Sequence, residues 1–132
     1  MVEMELTKIV IRETAGQQYV FLREKGGAGR TFPIVIGYFE ADIINRKVLE
    51  HRSTRPLTHD LAGNLITALG GRLERIVVSE LKHNTFYAHL RIEQNGQTIE
   101  VDSRPSDAIA LAVQAECPIF VSEEVLAVVA LQ

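Results

Sequence analysis

Hydrophobic and polar positions alternate along the first third of the chain, and β-branched and aromatic residues prevail over Met4 to Ile11, Tyr19 to Arg23 and Phe32 to Ile36. Alternation with a period of two puts one side of each segment against a core, so three strands are predicted. The run Lys25-Gly26-Gly27-Ala28-Gly29-Arg30 between the last two lacks the Lys-Ser/Thr pair and the following helix of a phosphate-cradling loop. It reads as a hairpin turn. Beyond Gly37 the period changes: Ala41, Ile44 and Val48 recur at i, i+3 and i+7 and predict a helix to about Glu50. A polar connection from His51 to Pro56 leads to a second helix, capped by Thr58 and running to Leu69. Leu61, Leu65, Ala68 and Leu69 are its expected buried face, and Gly70-Gly71 ends it.

Alternation returns in Leu73 to Leu81, Thr85 to Glu93 and Thr98 to Val101, joined near His83-Asn84 and across Asn95-Gly96. Asn-Gly tolerates the positive φ of a tight hairpin, so an antiparallel meander is predicted. The stretch from Ser103 to Val113 opens with Pro105 and capping residues and is apolar nearly all round, which predicts a buried helix. A short strand from Ile119 to Val121 and a last helix opening at Ser122-Glu123-Glu124 complete the pattern. The expected fold is α+β: one compact domain over residues 1–132, with a mixed, largely antiparallel sheet and packed helices.

Composition narrows the class. A chain of 132 residues with 46% apolar content can build its own core. The single cysteine, Cys117, excludes an internal disulfide and a cysteine-rich zinc site and fits a reducing compartment. No apolar run reaches the roughly 18 residues of a membrane helix, and the start Met-Val-Glu-Met-Glu-Leu-Thr-Lys has no signal-peptide pattern, so a cytoplasmic protein without a membrane partner is expected. Fourteen Lys and Arg against seventeen Asp and Glu give a net charge of −3, which predicts weak binding to nucleic acid unless Arg46, Lys47, Arg52, Arg55, Arg72, Arg75 and Arg104 converge.

Polar groups gather where three helices begin: Glu40 and Asp42; His59 and Asp60; Asp102, Arg104, Ser106 and Asp107. Helix starts favour carboxylates and also hold phosphate, so each group reads as helix capping or as part of a site. His59 beside Asp60 offers a general base with an orienting carboxylate, although adjacent helical residues point apart and cannot readily grip one ion. The run from Asp102 to Asp107 suits a phosphodiester hydrolase, with carboxylates that hold a divalent ion or activate water and Arg104 on the phosphate. It equally suits an Arg-carboxylate network tying a strand to a helix. His51, His83 and His89 have no partner at metal-ligand spacing, Ser106 lacks a nucleophile elbow, and Cys117 reads as a small buried hydrophobe.

Taken in order, Phe32-Pro33-Ile34-Val35-Ile36-Gly37 with Glu40-Ala41, Arg55-Pro56-Leu57-Thr58-His59-Asp60-Leu61, Thr85-Phe86-Tyr87-Ala88, and Val101-Asp102-Ser103-Arg104-Pro105-Ser106-Asp107-Ala108-Ile109-Ala110-Leu111-Ala112 resemble the bifunctional nuclease domain family over about residues 4–126. Ser103 stands where the family usually has Ala, and Tyr38-Phe39 varies the segment before Glu40. The resemblance implies a self-associating α+β domain and a nuclease acting on DNA and RNA with little sequence preference. From their chemistry, Glu40, His59, Asp60, Asp102 and Asp107 are the expected catalytic groups and Arg55, Arg104 and Ser106 the substrate contacts, with magnesium or manganese as a candidate cofactor. The alternative is a non-catalytic oligomeric interaction or regulatory module.

Overall fold

In the computed structural model, which describes residues 1–12, 17–50 and 54–130, the first alternating segments form β1 (Val2–Val10), β2 (Gln18–Glu24) and β3 (Thr31–Ile36). The glycine-rich run is the turn between β2 and β3, where the Glu24 carboxylate accepts from the backbone N–H of Arg30 at 2.8 Å and pairs with its guanidinium. Helix α1 (Tyr38–Val48) follows, then α2 (Thr58–Ala68), β4 (Gly71–Lys82), β5 (Thr85–Gln94), β6 (Gln97–Ser103), α3 (Pro105–Ala115), β7 (Ile119–Val121) and α4 (Glu123–Val129). His83 and Asn84, with φ of 51° and 62°, and Asn95 and Gly96, with 52° and 77°, turn the meander in the left-handed backbone its sequence anticipates.

The strands make one sheet in the order β3-β2-β1-β7-β4-β5-β6. All neighbours are antiparallel except β4 and β7, which pair in parallel with Ile76 opposite Ile119 and Val78 opposite Val121. Ile76, Val77 and Val78 are at most 2% exposed, so β4 is covered on both faces at the middle of the sheet. The main core gathers Met4, Leu22, Phe32 and Ile34 from the first half with Ile109 of α3 and Leu126 of α4. Helix α3 is buried over Ala108 to Ala112 as expected. The fold is α+β, with a mixed and largely antiparallel sheet.

Two helical faces differ from expectation. On α1, Ala41 and Ile44 are buried, but Val48 is 57% exposed and Glu40 is buried in its place. The larger correction concerns α2. Leu61, Leu65 and Leu69 are 51%, 52% and 72% exposed, Ala68 is exposed too, and none of the helix is fully buried. Its half-buried side is His59, Ala62, Gly63 and Ile66, and the helix neighbours α3 and β4. Gly71 fits the same approach, since a Cβ there would stand 3.1 Å from the Ile66 carbonyl and from Ile92. The cap also moves by one residue: Leu57 caps α2, and Asp60 accepts from its backbone N–H at 2.9 Å. His51 and Arg52 lie outside the described residues.

Candidate functional site

Four side chains that are remote in sequence form one continuous chain of bonds across the starts of α1, α2 and α3. Glu40, in the first turn of α1, is 5% exposed. Its Oε1 accepts from Arg104 Nη2 at 2.9 Å and from Ser106 Oγ at 3.3 Å. Arg104 Nε donates to Asp107 Oδ2 at 2.8 Å, and Asp107 Oδ1 lies 2.8 Å from His59 Nε2. The order is therefore Glu40, Arg104, Asp107, His59, with Ser106 as a branch. Local structure explains the convergence. Arg104 is the extended N-cap of α3 and Pro105 fixes the first helical residue, so Ser106 and Asp107 fall in the first turn. Gly37, the cap of α1, leaves room for Glu40, because a Cβ there would come within 2.6 Å of the Glu40 carboxylate.

Electrostatics set the protonation. Burial opposes ionisation of Asp107, but the hydrogen bonds and charges of Arg104 and His59 outweigh it and hold its carboxyl below the usual range. The bond to Asp107 likewise raises Arg104, with a smaller contribution from Glu40. An ionised Asp107 can only accept, so His59 must present its Nε2 proton to it. When the imidazole is neutral, Nδ1 is then the nitrogen able to take a proton. The Arg104 side chain is 69% exposed despite its two carboxylate partners, which leaves Nη1 turned to no partner among the described residues.

The remaining candidates stand apart from this chain. The sequence pairs His59 with Asp60, but Asp60 holds Leu57 and accepts from Gln114 Nε2 at 2.6 Å, while the partner of His59 is Asp107, 48 residues away. Asp102 is exposed on β6, opposite His89 in register, because the strand continues to Ser103 before the chain turns into α3. Asp42 pairs with Arg46 along α1. Arg55 lines a cavity of about 730 Å³ with Arg46 and Lys47, on one side of the first turn of α2. A second cavity of about 560 Å³ shares Asp60, Asn64 and Gln114 with the first and is lined by His59 itself. Among the described basic residues, Arg46, Lys47 and Arg55 share the first cavity, whereas Arg75 stacks over Phe120 at 5.0 Å. Gln114 and Gly37 were absent from the sequence-based set, and neither residue type signals its part before the fold is known.

Among the described residues, no three His, Cys, Asp or Glu side chains converge as a metal-ligand set. The Arg104 guanidinium bridges Glu40 and Asp107, so a cation held by both carboxylates would have to displace it. These residues do not fit a resident divalent ion. Cys117 is half-buried and burial pushes its thiol up to about 11, which suits a packing role and not a nucleophile. No helix among the described residues is long and apolar enough to cross a membrane.

The chain matches the family model of the bifunctional nuclease domain over residues 20–132. It is 40% identical over 127 residues to an uncharacterised protein of Mycobacterium tuberculosis, across 96% of this chain and 75% of that protein. It is also similar to bifunctional nuclease 1 of Oryza sativa subsp. japonica, at 23% identity over 118 residues, covering 87% of this chain and 36% of the plant protein. Bifunctional nuclease 2 of Arabidopsis thaliana is 23% identical over 107 residues, covering 79% and 32%.

Proposed function

Because the chain belongs to the bifunctional nuclease domain family, we propose that it hydrolyses phosphodiester bonds of DNA and RNA with little sequence preference, using the linked His59, Asp107 and Arg104 at one phosphate. The observation that carries this reading is the 2.8 Å contact between His59 and Asp107, with Arg104 on the same carboxylate. Asp107 orients the imidazole by accepting a hydrogen bond from its Nε2–H. His59 Nδ1 takes a proton from the attacking water as its oxygen bonds to phosphorus. The phosphorus–oxygen bond to the departing strand breaks, and solvent protonates the leaving oxygen while His59 releases its proton. Arg104 Nη1 binds a non-bridging oxygen, and Glu40, which accepts from Ser106, fixes the guanidinium.

Asp60 acts in this scheme through the first turn of α2, and Arg55 by attracting the strand. Asp102 takes no step. Magnesium or manganese enters only as a companion of the substrate phosphates, in the manner usual for hard cations with few protein ligands. Self-association and a cytoplasmic location belong to the same proposal, supported by the exposed leucines of α2 and by the lone cysteine.

His59→Gln tests the chemistry. Glutamine can still donate to Asp107 but cannot take a proton near neutral pH, so hydrolysis of DNA and RNA should fall by roughly 10²–10⁴-fold with the melting temperature nearly unchanged. Retained activity would remove His59 from the mechanism. The second reading, a non-catalytic interaction module, is favoured by the way Arg104 is committed to two carboxylates of its own chain. Under it the parent protein cuts neither nucleic acid, with or without magnesium.

A further inference from the structure

The cavity of about 560 Å³ beside His59 lies between α2, the start of β4 and the last turn of α3. Its volume falls in the range of about 300–1,000 Å³ common for small-ligand sites. Ile66, Leu73 and Leu111 give it apolar walls, and Asn64, Thr67 and Gln114 add polar groups. Arg72 is also part of the lining and is exposed, with no ion-pair partner among the described residues. Gln114 donates through Nε2 to Asp60, while its Oε1 is shut off from solvent and has no hydrogen-bond partner. A buried acceptor without a donor is costly, and a turn of the Gln114 amide that opened Oε1 to the cleft would let a ligand amino group supply the missing bond.

Apolar walls, amide and hydroxyl groups suited to a planar polar edge, and a cationic side chain together match a nucleobase with its attached phosphate. We propose that this cleft is a nucleobase subsite, taking one base turned out of its stack while the adjoining phosphate lies toward His59. The inference deepens the nuclease reading and rests on it for the position of the phosphate. His59 makes the connection, since it both lines the cleft and bonds to Asp107. Seating the base there limits the orientations of the phosphodiester before attack, without reading a particular sequence.

Gly63 makes the cleft testable. It lies on α2 along the cleft wall, and a Cβ built on it would meet nothing within 4 Å. Gly63→Phe therefore fills space and removes a helix-interior glycine, which favours the helix. Adenosine 5′-monophosphate titrated into the isotopically labelled protein should shift the backbone amide signals of Gly63, Thr67 and Leu73, whereas inorganic phosphate should leave them in place. Gly63→Phe should weaken the nucleotide at least tenfold, and Thr67→Trp, filling the same space, serves if the first variant fails to fold. No shift with millimolar nucleotide, equal shifts with inorganic phosphate, or unchanged affinity in the filled variant would overturn the subsite. The titration needs no hydrolysis. A protein that binds the nucleotide in the cleft but cuts no nucleic acid overturns the nuclease reading alone, and cutting without such binding overturns the subsite alone.

Discussion

Arg104 Nη2 lies 2.9 Å from Glu40 Oε1 across 64 residues of sequence, and this pair joins the cap of α3 to the first turn of α1. Glu40 is buried, so Glu40→Gln keeps the shape but removes the charge that Arg104 faces. The arginine end is exposed, and solvent screening holds the loss toward the low end of charged hydrogen bonds, about 1–2 kcal/mol. A melting temperature lower by roughly 3–10 °C is expected for a chain of this size. An unchanged melt would mean that the pair contributes nothing to stability.

Asp107 gives stability a defined pH dependence. Its folded carboxyl titrates below the ordinary value of 3.8, so its contribution is fully present above that value and disappears as the pH falls through the lower folded value. The stability gap between the parent and Asp107→Asn should therefore hold steady from about pH 7 to about pH 5 and close below about pH 3.8. Denaturant titrations of both proteins across that span check it. A gap that persists unaltered in strong acid would show that shape, and not charge, is what Asn fails to replace.

Nucleic acid should be held through few phosphates. Arg46, Lys47 and Arg104 each have a carboxylate of the same chain as partner, which leaves Arg55 and Arg72 as better-placed cations around the two cavities. A plot of log affinity against log salt should have a slope of about −1 to −3, one unit or less for each phosphate contacted. A slope of about −6 or steeper would reveal a concentrated basic face.

Leu61, Leu65 and Leu69 recur every fourth residue on the outer side of α2, a row that is self-complementary when two copies meet about a twofold axis. Light scattering at micromolar concentration should give a mass above 14.7 kDa, and Leu65→Lys should return it to that value. A parent that is monomeric throughout the range removes the proposal of self-association.

The sheet was legible because its segments are periodic and bounded by Gly or Asn turns, and α3 because it is apolar on all sides. The orientation of α2 was not. Three leucines at helical spacing look like a buried stripe, yet it is the side carrying His59, Ala62 and Ile66 that turns inward and brings His59 within reach of Asp107. Glu40, His59, Arg104 and Asp107 could each be picked out from the chemistry of helix starts. Their pairing could not, since sequence adjacency suggested Asp60 for His59 and tertiary contact supplies Asp107. Asp102 misled for a similar reason: nothing local reveals that β6 runs on through Ser103 and keeps that carboxylate at the surface.

β7 has consequences for the order in which the molecule can assemble. Its three residues lie between β1 and β4 in the sheet, antiparallel to one and parallel to the other. During synthesis the hairpins on either flank can form from neighbouring segments, but they have no common ladder until residues 119–121 leave the ribosome. Such late closure joins partners more than 110 residues apart, Val2 with Val121 among them, and long-range pairing of this kind is slow. Until then the inner edges of β1 and β4 stay unpaired, which makes nascent chains halted before Ile119 the form most exposed to aggregation and to chaperone capture.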